Sequence, residues 1–361
     1  MLRVAYLVRA AGADIDARAE SLLLEQTVEL PRLALGDRPA AQRMVGRVED
    51  VREVSEGTHR VTLSQPLAAT ACDPAQLLNV LFGNSSLQPD VVLADVDLPE
   101  TAFDWLPGPR AGVQGLRALT GVTGRPLLAT ALKPMGLGVE QLAALCRTFA
   151  SAGIDLVKDD HGLADHAFCP FESRVVACLR ATEGSRTVYV PNLIGTPERV
   201  VRQLEFARGA GARAVMLSPM VVGLPLLHHL ATMTDGLPVL AHPSLAGVFR
   251  AEATVLLGKL FRWYGADAVI FPHTGGRFSL GTETCRTLAE TLRAPHPRVR
   301  PSFPAPAGGI KVEHVEETLA FYGRDSILLI GGSLYEAGDE LYERTRALVA
   351  RVAQAASAER A

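Results

Sequence analysis

Along the first hundred residues the apolar positions alternate, then recur at helical spacing, then alternate again. A period of two marks a half-buried strand and a period near 3.6 an amphipathic helix. The pattern predicts a strand over 3–8, a helix over 14–24, strands over 44–54 and 59–63, a helix over 74–82 and a strand over 91–96. That order, βαββαβ, is the ferredoxin-like α+β arrangement. Leu106-Pro-Gly-Pro-Arg110 then interrupts any regular element. We therefore expect an N-terminal domain over 1–110 and a second domain over 111–361.

From Arg125 onward the pattern changes. Eight short apolar runs alternate with helical segments: PLLATALKP, IDLVKDD, TVYVPNL, AVMLSPM, LPVLAHP, DAVIFPHTGG, PSFPAPAGG and SILLIGG. Runs without polar alternation suit parallel strands buried on both faces. Eight strand–helix units predict a (β/α)8 TIM barrel, with an open doubly wound sheet as the alternative. The barrel is favoured because the runs end in polar or glycine-rich groups: Lys133, Lys158-Asp-Asp-His161, Asn192, Ser218, His242, His273, Gly308-Gly309 and Gly331-Gly332. Barrel active sites are assembled at those strand ends. A last helix over 336–356 is expected to close the ring.

Composition narrows the partners. With 361 residues, 48% of them hydrophobic, the chain can bury a large core. The 36 basic and 39 acidic residues nearly cancel, at net charge −3, so neither nucleic acid nor an anionic membrane is expected as partner and a small molecule is. Five cysteines without a C-x-x-C pair suit free thiols in a reducing compartment. They read as small apolar core residues. No signal-peptide pattern opens the chain and no apolar run reaches membrane-spanning length, so a cytoplasmic location is expected.

Two groups of residues carry chemistry. The first is Lys158-Asp-Asp-His161 at the end of a buried strand, with Lys133 ending the strand before it. Charged strand ends are often only solvated loops. Two lysines and two aspartates in one pocket instead suggest perturbed pKa values and a metal. The second is the pair of turns Ala307-Gly308-Gly309 and Gly331-Gly332, after strands seven and eight. One Gly-Gly pair is usually a tight turn. Two pairs at these barrel positions point to phosphate held by backbone N–H groups. His242 and His273, ending strands five and six, are candidates to touch substrate or carry a proton. His166, His228, His229, His296 and His314 read as structural or surface residues.

These residues, in this order, resemble the RuBisCO superfamily. The run from Gly124 to Gly138, GRPLLATALKPMGLG, is similar to the family's first barrel strand and its Lys-Pro-x-x-Gly-Leu loop. Gly153 to Asp160 is similar to its Gly-x-Asp-x-x-Lys-Asp-Asp metal-binding run. His242, His273, both glycine pairs and Phe82-Gly-Asn84 extend the likeness over most of the chain. The resemblance implies Lys158 as the lysine that CO2 converts to a carbamate, and Asp160 as a second ligand of Mg2+. His161 stands where the family has a third ligand, a glutamate. Lys133, Lys158 and His242 are implied as catalytic.

Other departures remove parts that carboxylation uses. Met135 replaces a second lysine, and Thr274 to Leu280 lacks the Gly-Lys pair of the mobile loop; Arg277 is nearby without being its equivalent. Pro243 replaces an arginine that grips the second phosphate of a bisphosphate. The resemblance is thus to a RuBisCO-like protein that enolises a keto-sugar monophosphate without fixing CO2. The leading expectation is a 5-methylthioribulose-1-phosphate isomerase. The alternatives are the methionine-salvage 2,3-diketo-5-methylthiopentyl-1-phosphate enolase, a 3-oxo-isoapionate-4-phosphate decarboxylase and, outside enzymes, a silent phosphate-binding regulatory relative. The family implies a homodimer whose active sites are shared between subunits, with Asn84 and Glu25 reaching across; Glu29 is the alternative to Glu25.

Overall fold

The computed structural model describes residues 1–278 and 280–358; Ser279 and residues 359–361 lie outside them. The chain divides into two compact units. One is Met1–Pro107 with Ala246–Leu260, the other Gly108–Leu245 with the chain from Phe261 onward.

In the first unit, β1 (Leu2–Arg9), β2 (Arg47–Ser55), β3 (Thr58–Gln65) and β4 (Val91–Asp97) form an antiparallel sheet in the order β2-β3-β1-β4. Helices Ile15–Thr27 and Pro74–Phe82 complete the expected βαββαβ order. Asp73 caps the second helix by accepting from the Gln76 N–H at 2.8 Å. Residues Ala246–Leu260 belong to this unit: the Leu93 N–H donates to the Arg250 carbonyl, and the Glu252 N–H to the Leu93 carbonyl, both at 2.9 Å. They occupy the edge of β4 that β1 leaves open.

The second unit is a parallel barrel. Its strands are β5 (Leu127–Ala131), β6 (Leu156–Lys158), β7 (Val188–Val190), β8 (Asn192–Leu193), β9 (Val215–Leu217), β10 (Val239–Ala241), β11 (Ala268–Pro272), β12 (Phe303–Ala307) and β13 (Ile327–Leu329). They run in the order β7-β6-β5-β13-β12-β11-β10-β9-β8. Nine pieces fill eight barrel positions because TVYVPNL, expected as one strand, is cut at Pro191, which has no N–H to donate. β7 pairs with β6 and β8 with β9, while the Pro191 carbonyl accepts from Met216 N–H at 2.9 Å and closes the ring.

Alternate strand residues, among them Leu127, Ala129, Leu156, Val190, Met216, Leu240, Ile270, Ala305 and Leu329, pack into one core cluster. Val113 and Leu116, from helix Gly112–Thr120, join that cluster at the strand starts. Asp267 fastens this end: its Oδ1 accepts from the N–H groups of Ala111 and Gly112, and its Oδ2 from Val239. The closing helix runs over Leu341–Ala358, later than expected, because a short helix, Gly332–Tyr335, intervenes.

All five cysteines are free thiols. Cys72 is exposed at a φ of 56°, which corrects its reading as a core residue; the other four are buried. Among the described residues no helix is long and apolar enough to cross a membrane.

Candidate active site

The strand ends bring Lys133, Lys158, Asp160, His161 and His242 together. Strand β6 ends at Lys158, so consecutive residues leave the barrel in different directions. Asp159 turns into the wall: it is fully buried, accepting from Arg174 Nε at 3.0 Å, Tyr189 OH at 2.7 Å and the Asn192 N–H at 3.0 Å. The expectation of two aspartates in the pocket is thereby corrected to one. Asp160 faces the lysines. Its Oδ2 accepts from Lys133 Nζ and its Oδ1 from the Gly162 N–H at 3.0 Å. Burial alone would raise its pKa, but these donors and the charge of Lys158 hold the carboxyl below the usual range.

Lys158 is 3% exposed. Burial, reinforced by the charge of Lys133, pushes its amine down to about 8. A neutral amine is therefore accessible near physiological pH. Its Nζ donates to the Asp159 carbonyl at 2.9 Å. His161 stacks on His242, with ring centroids 4.2 Å apart and planes 8° from parallel. Its Nδ1 lies 3.4 Å from Asp160 Oδ1. Burial lowers the pKa of both imidazoles, and neighbouring cations lower them further, so both are neutral at pH 7. His242 Nδ1 faces the hydroxyl of Ser244 at 2.9 Å.

The glycine turns form a second cluster. Ala307 ends β12, and its carbonyl accepts from the His273 N–H at 2.8 Å. The His273 ring meets Tyr322 OH at 3.2 Å. Gly308 and Gly309 have φ of 78° and 119°, values glycine tolerates and other residues rarely adopt. Among the described residues, the N–H groups of Gly309 and Gly331 donate to no backbone carbonyl and Gly332 opens a short helix, whereas the Gly308 N–H faces the Leu329 carbonyl at the bridge between β12 and β13. Unpaired donors on two adjacent barrel loops suit an oxyanion. Tyr335 joins the clusters: its OH donates to the Ala131 carbonyl at 2.9 Å and accepts from the Lys133 N–H at 3.0 Å.

Glu25 and Asn84 lie in the first unit, where Asn84 Nδ2 donates to Glu25 Oε1 at 2.9 Å. The buried Gln26 accepts from Ser85 Oγ at 2.6 Å and so fixes the turn carrying Asn84. Glu29 sits past the helix end at a φ of 54°.

Sequence reasoning passed over Arg174, Tyr189, Tyr322 and Tyr335, which hold the site residues from behind. An arginine on a helix and a tyrosine in an apolar strand carry no local signal that they meet a site. Among the described residues no three His, Cys, Asp or Glu side chains gather as a metal site. Asp160 and His161 supply two donors, and a carbamate on Lys158 would make a third. That mixed oxygen and nitrogen set fits a divalent ion.

Comparison with known proteins agrees with this geometry. Residues 112–295 match the ribulose bisphosphate carboxylase large chain, catalytic domain. The ribulose bisphosphate carboxylase-like protein 1 of Rhodopseudomonas palustris is 49% identical over 97% of each chain. The 5-methylthioribulose-1-phosphate isomerase of Rhodospirillum rubrum is 43% identical over 99% of this chain and 97% of its own. A crystal structure of a Rubisco-like protein from Rhodopseudomonas palustris superposes with a TM-score of 0.91 at 43% identity, covering 98% of this chain and 97% of that one. A barrel with this lysine–aspartate cluster, matched along nearly its whole length by such relatives, belongs to the RuBisCO large-chain family, among its RuBisCO-like proteins.

Proposed function

We propose that the protein is a Mg2+-dependent enzyme that enolises a phosphorylated keto-sugar and moves a proton along it, with 5-methylthioribulose 1-phosphate as substrate. The observation that carries this reading is the joining of two amines and one carboxylate, Lys133, Lys158 and Asp160, beside glycine turns with unpaired N–H groups. The 43% identical relative named for that isomerase supports the choice of substrate.

Lys158 as its carbamate, Asp160 and His161 are the residues that would hold the metal. Bound there, the ion would polarise the sugar carbonyl and acidify the adjoining C–H. Lys133 then serves as the group that takes or returns the proton, its Nζ kept in place by Asp160. His242, neutral and stacked on His161, lines the site without adding charge. Gly308, Gly309, Gly331 and Gly332 hold the phosphate, and His273 stands beside them, braced by Tyr322. Pro243, next to His242, carries no charge of its own for a second phosphate, which suits an uncharged methylthio end. The protein is read as a homodimer, with Glu25 and Asn84 as the residues offered to the partner's site.

The test is incubation with Mg2+ and 5-methylthioribulose 1-phosphate in D2O, followed by NMR. Deuterium should enter the sugar carbons beside the carbonyl, and Lys158→Ala and Asp160→Ala should each abolish this while remaining folded. Full activity after exhaustive chelation would remove the metal from the proposal. Turnover of the diketo-methylthiopentyl phosphate alone would make the protein an enolase instead.

A further inference from the structure

Arg277 is an exposed cation that makes no ion pair among the described residues. It lies on the turn after β11, and backbone contacts fasten that turn to the glycine pair after β12. The Arg277 N–H donates to the Gly308 carbonyl at 3.2 Å, while within its own turn the Gly276 N–H donates to the His273 carbonyl at 3.1 Å. The two turns are packed so closely that a Cβ on Gly276 would stand 2.0 Å from the Gly308 oxygen, and one on Gly309 2.5 Å from Gly276 Cα. The root of Arg277 is thus held against Gly308 and Gly309 whatever its side chain does.

The side chain is itself braced. Its guanidinium carbon lies 4.6 Å from the centre of the Phe278 ring, and Phe278 is 56% exposed. The ring holds the cation by its π face, and a guanidinium carries the planar fork of N–H groups that matches two oxygens of a phosphate.

We propose that Arg277 is the counter-charge for the substrate's phosphate, acting with the free N–H group of Gly309. This rests on the phosphate reading of the glycine turns. It adds a charged donor that those turns lack. Backbone N–H groups place an anion but do not neutralise it, whereas a guanidinium does both and binds two oxygens at once.

The test uses the full chain and inorganic phosphate, titrated by calorimetry. Arg277→Gln should weaken phosphate binding by about tenfold or more, with Arg277→Lys between it and wild type, since a point charge keeps attraction but loses the fork. Phe278→Leu should weaken binding by a smaller factor. Melting temperatures should stay the same, because Arg277 makes no buried contact. KM for a keto-sugar monophosphate should rise in Arg277→Gln, while KM for the unphosphorylated sugar does not. If wild type binds phosphate, Gly332→Val abolishes it and Arg277→Gln leaves it unchanged, Arg277 is not the counter-charge. If wild type binds no phosphate at all, the phosphate reading of the turns fails and this proposal fails with it.

Discussion

Single residues in the site differ sharply in what their replacement would do. Gly309 and Gly332 looked alike in the sequence, as members of two Gly-Gly pairs. In the structure a Cβ on Gly309 meets Gly276 Cα at 2.5 Å at a φ of 119°, whereas one on Gly332 meets nothing within 4 Å. Gly309→Val should therefore unfold more easily, by about 2 kcal/mol or more, from steric strain. Gly332→Val should melt with wild type yet lose affinity for the monophosphate, so the two variants separate in thermal melts and binding titrations. Lys158 presents the opposite case, a residue whose removal should stabilise. Its folded pKa of about 8 lies below the usual lysine value, so the folded state disfavours the charged amine. Below pH 8 that penalty is fully present; it fades as pH rises towards the unfolded value. Lys158→Met should raise unfolding free energy at pH 7 by roughly 1–2 kcal/mol and abolish activity, and the gain should vanish near pH 10.5 in denaturant titrations.

Elements were legible where their pattern was local. The alternation in β1 and β3, the Pro-initiated helix Pro74–Phe82 and the apolar barrel runs all announce themselves within a few residues. What stayed hidden depends on contacts made far along the chain. Asp159 and Asp160 are neighbours of one type, and nothing near them reveals that Arg174 claims the first and Lys133 the second. Helix Phe171–Ala181 looks amphipathic with Arg174 as an ordinary surface residue, yet Arg174 is fully buried. It donates through Nη1 to the carbonyls of Ala164 and Cys169, tying the loop beyond His161 to the end of β6. Arg174→Met would leave the Asp159 charge buried without its partner, at a cost of about 3–5 kcal/mol. Urea unfolding should show that loss, and an unchanged midpoint would mean that the pair holds nothing.

At the scale of the molecule, the candidate site residues lie on one face of the barrel, while Asp267 and helix Gly112–Thr120 secure the other. Chemistry is thus altered at strand ends without disturbing the ring. Met135 is 46% exposed after β5, and Pro243 follows β10, so both departures from the carboxylase pattern fall on that face. We expect no fixation of labelled CO2 onto ribulose 1,5-bisphosphate; acid-stable label above a no-enzyme control would refute this. The ring itself is laced unevenly. In β12, Phe303 donates to the Asp267 carbonyl, on the β11 side, so the alternate residues Pro304 and Pro306 point towards β13. Neither has an N–H, and the β12–β13 register is a single pair, Ala307 with Leu329. That seam is therefore sparsely bonded along its length. The two glycine turns ride on its opposite lips, so an anion held between them, as proposed above, would meet fewer backbone bonds to stretch than in a fully laced pair.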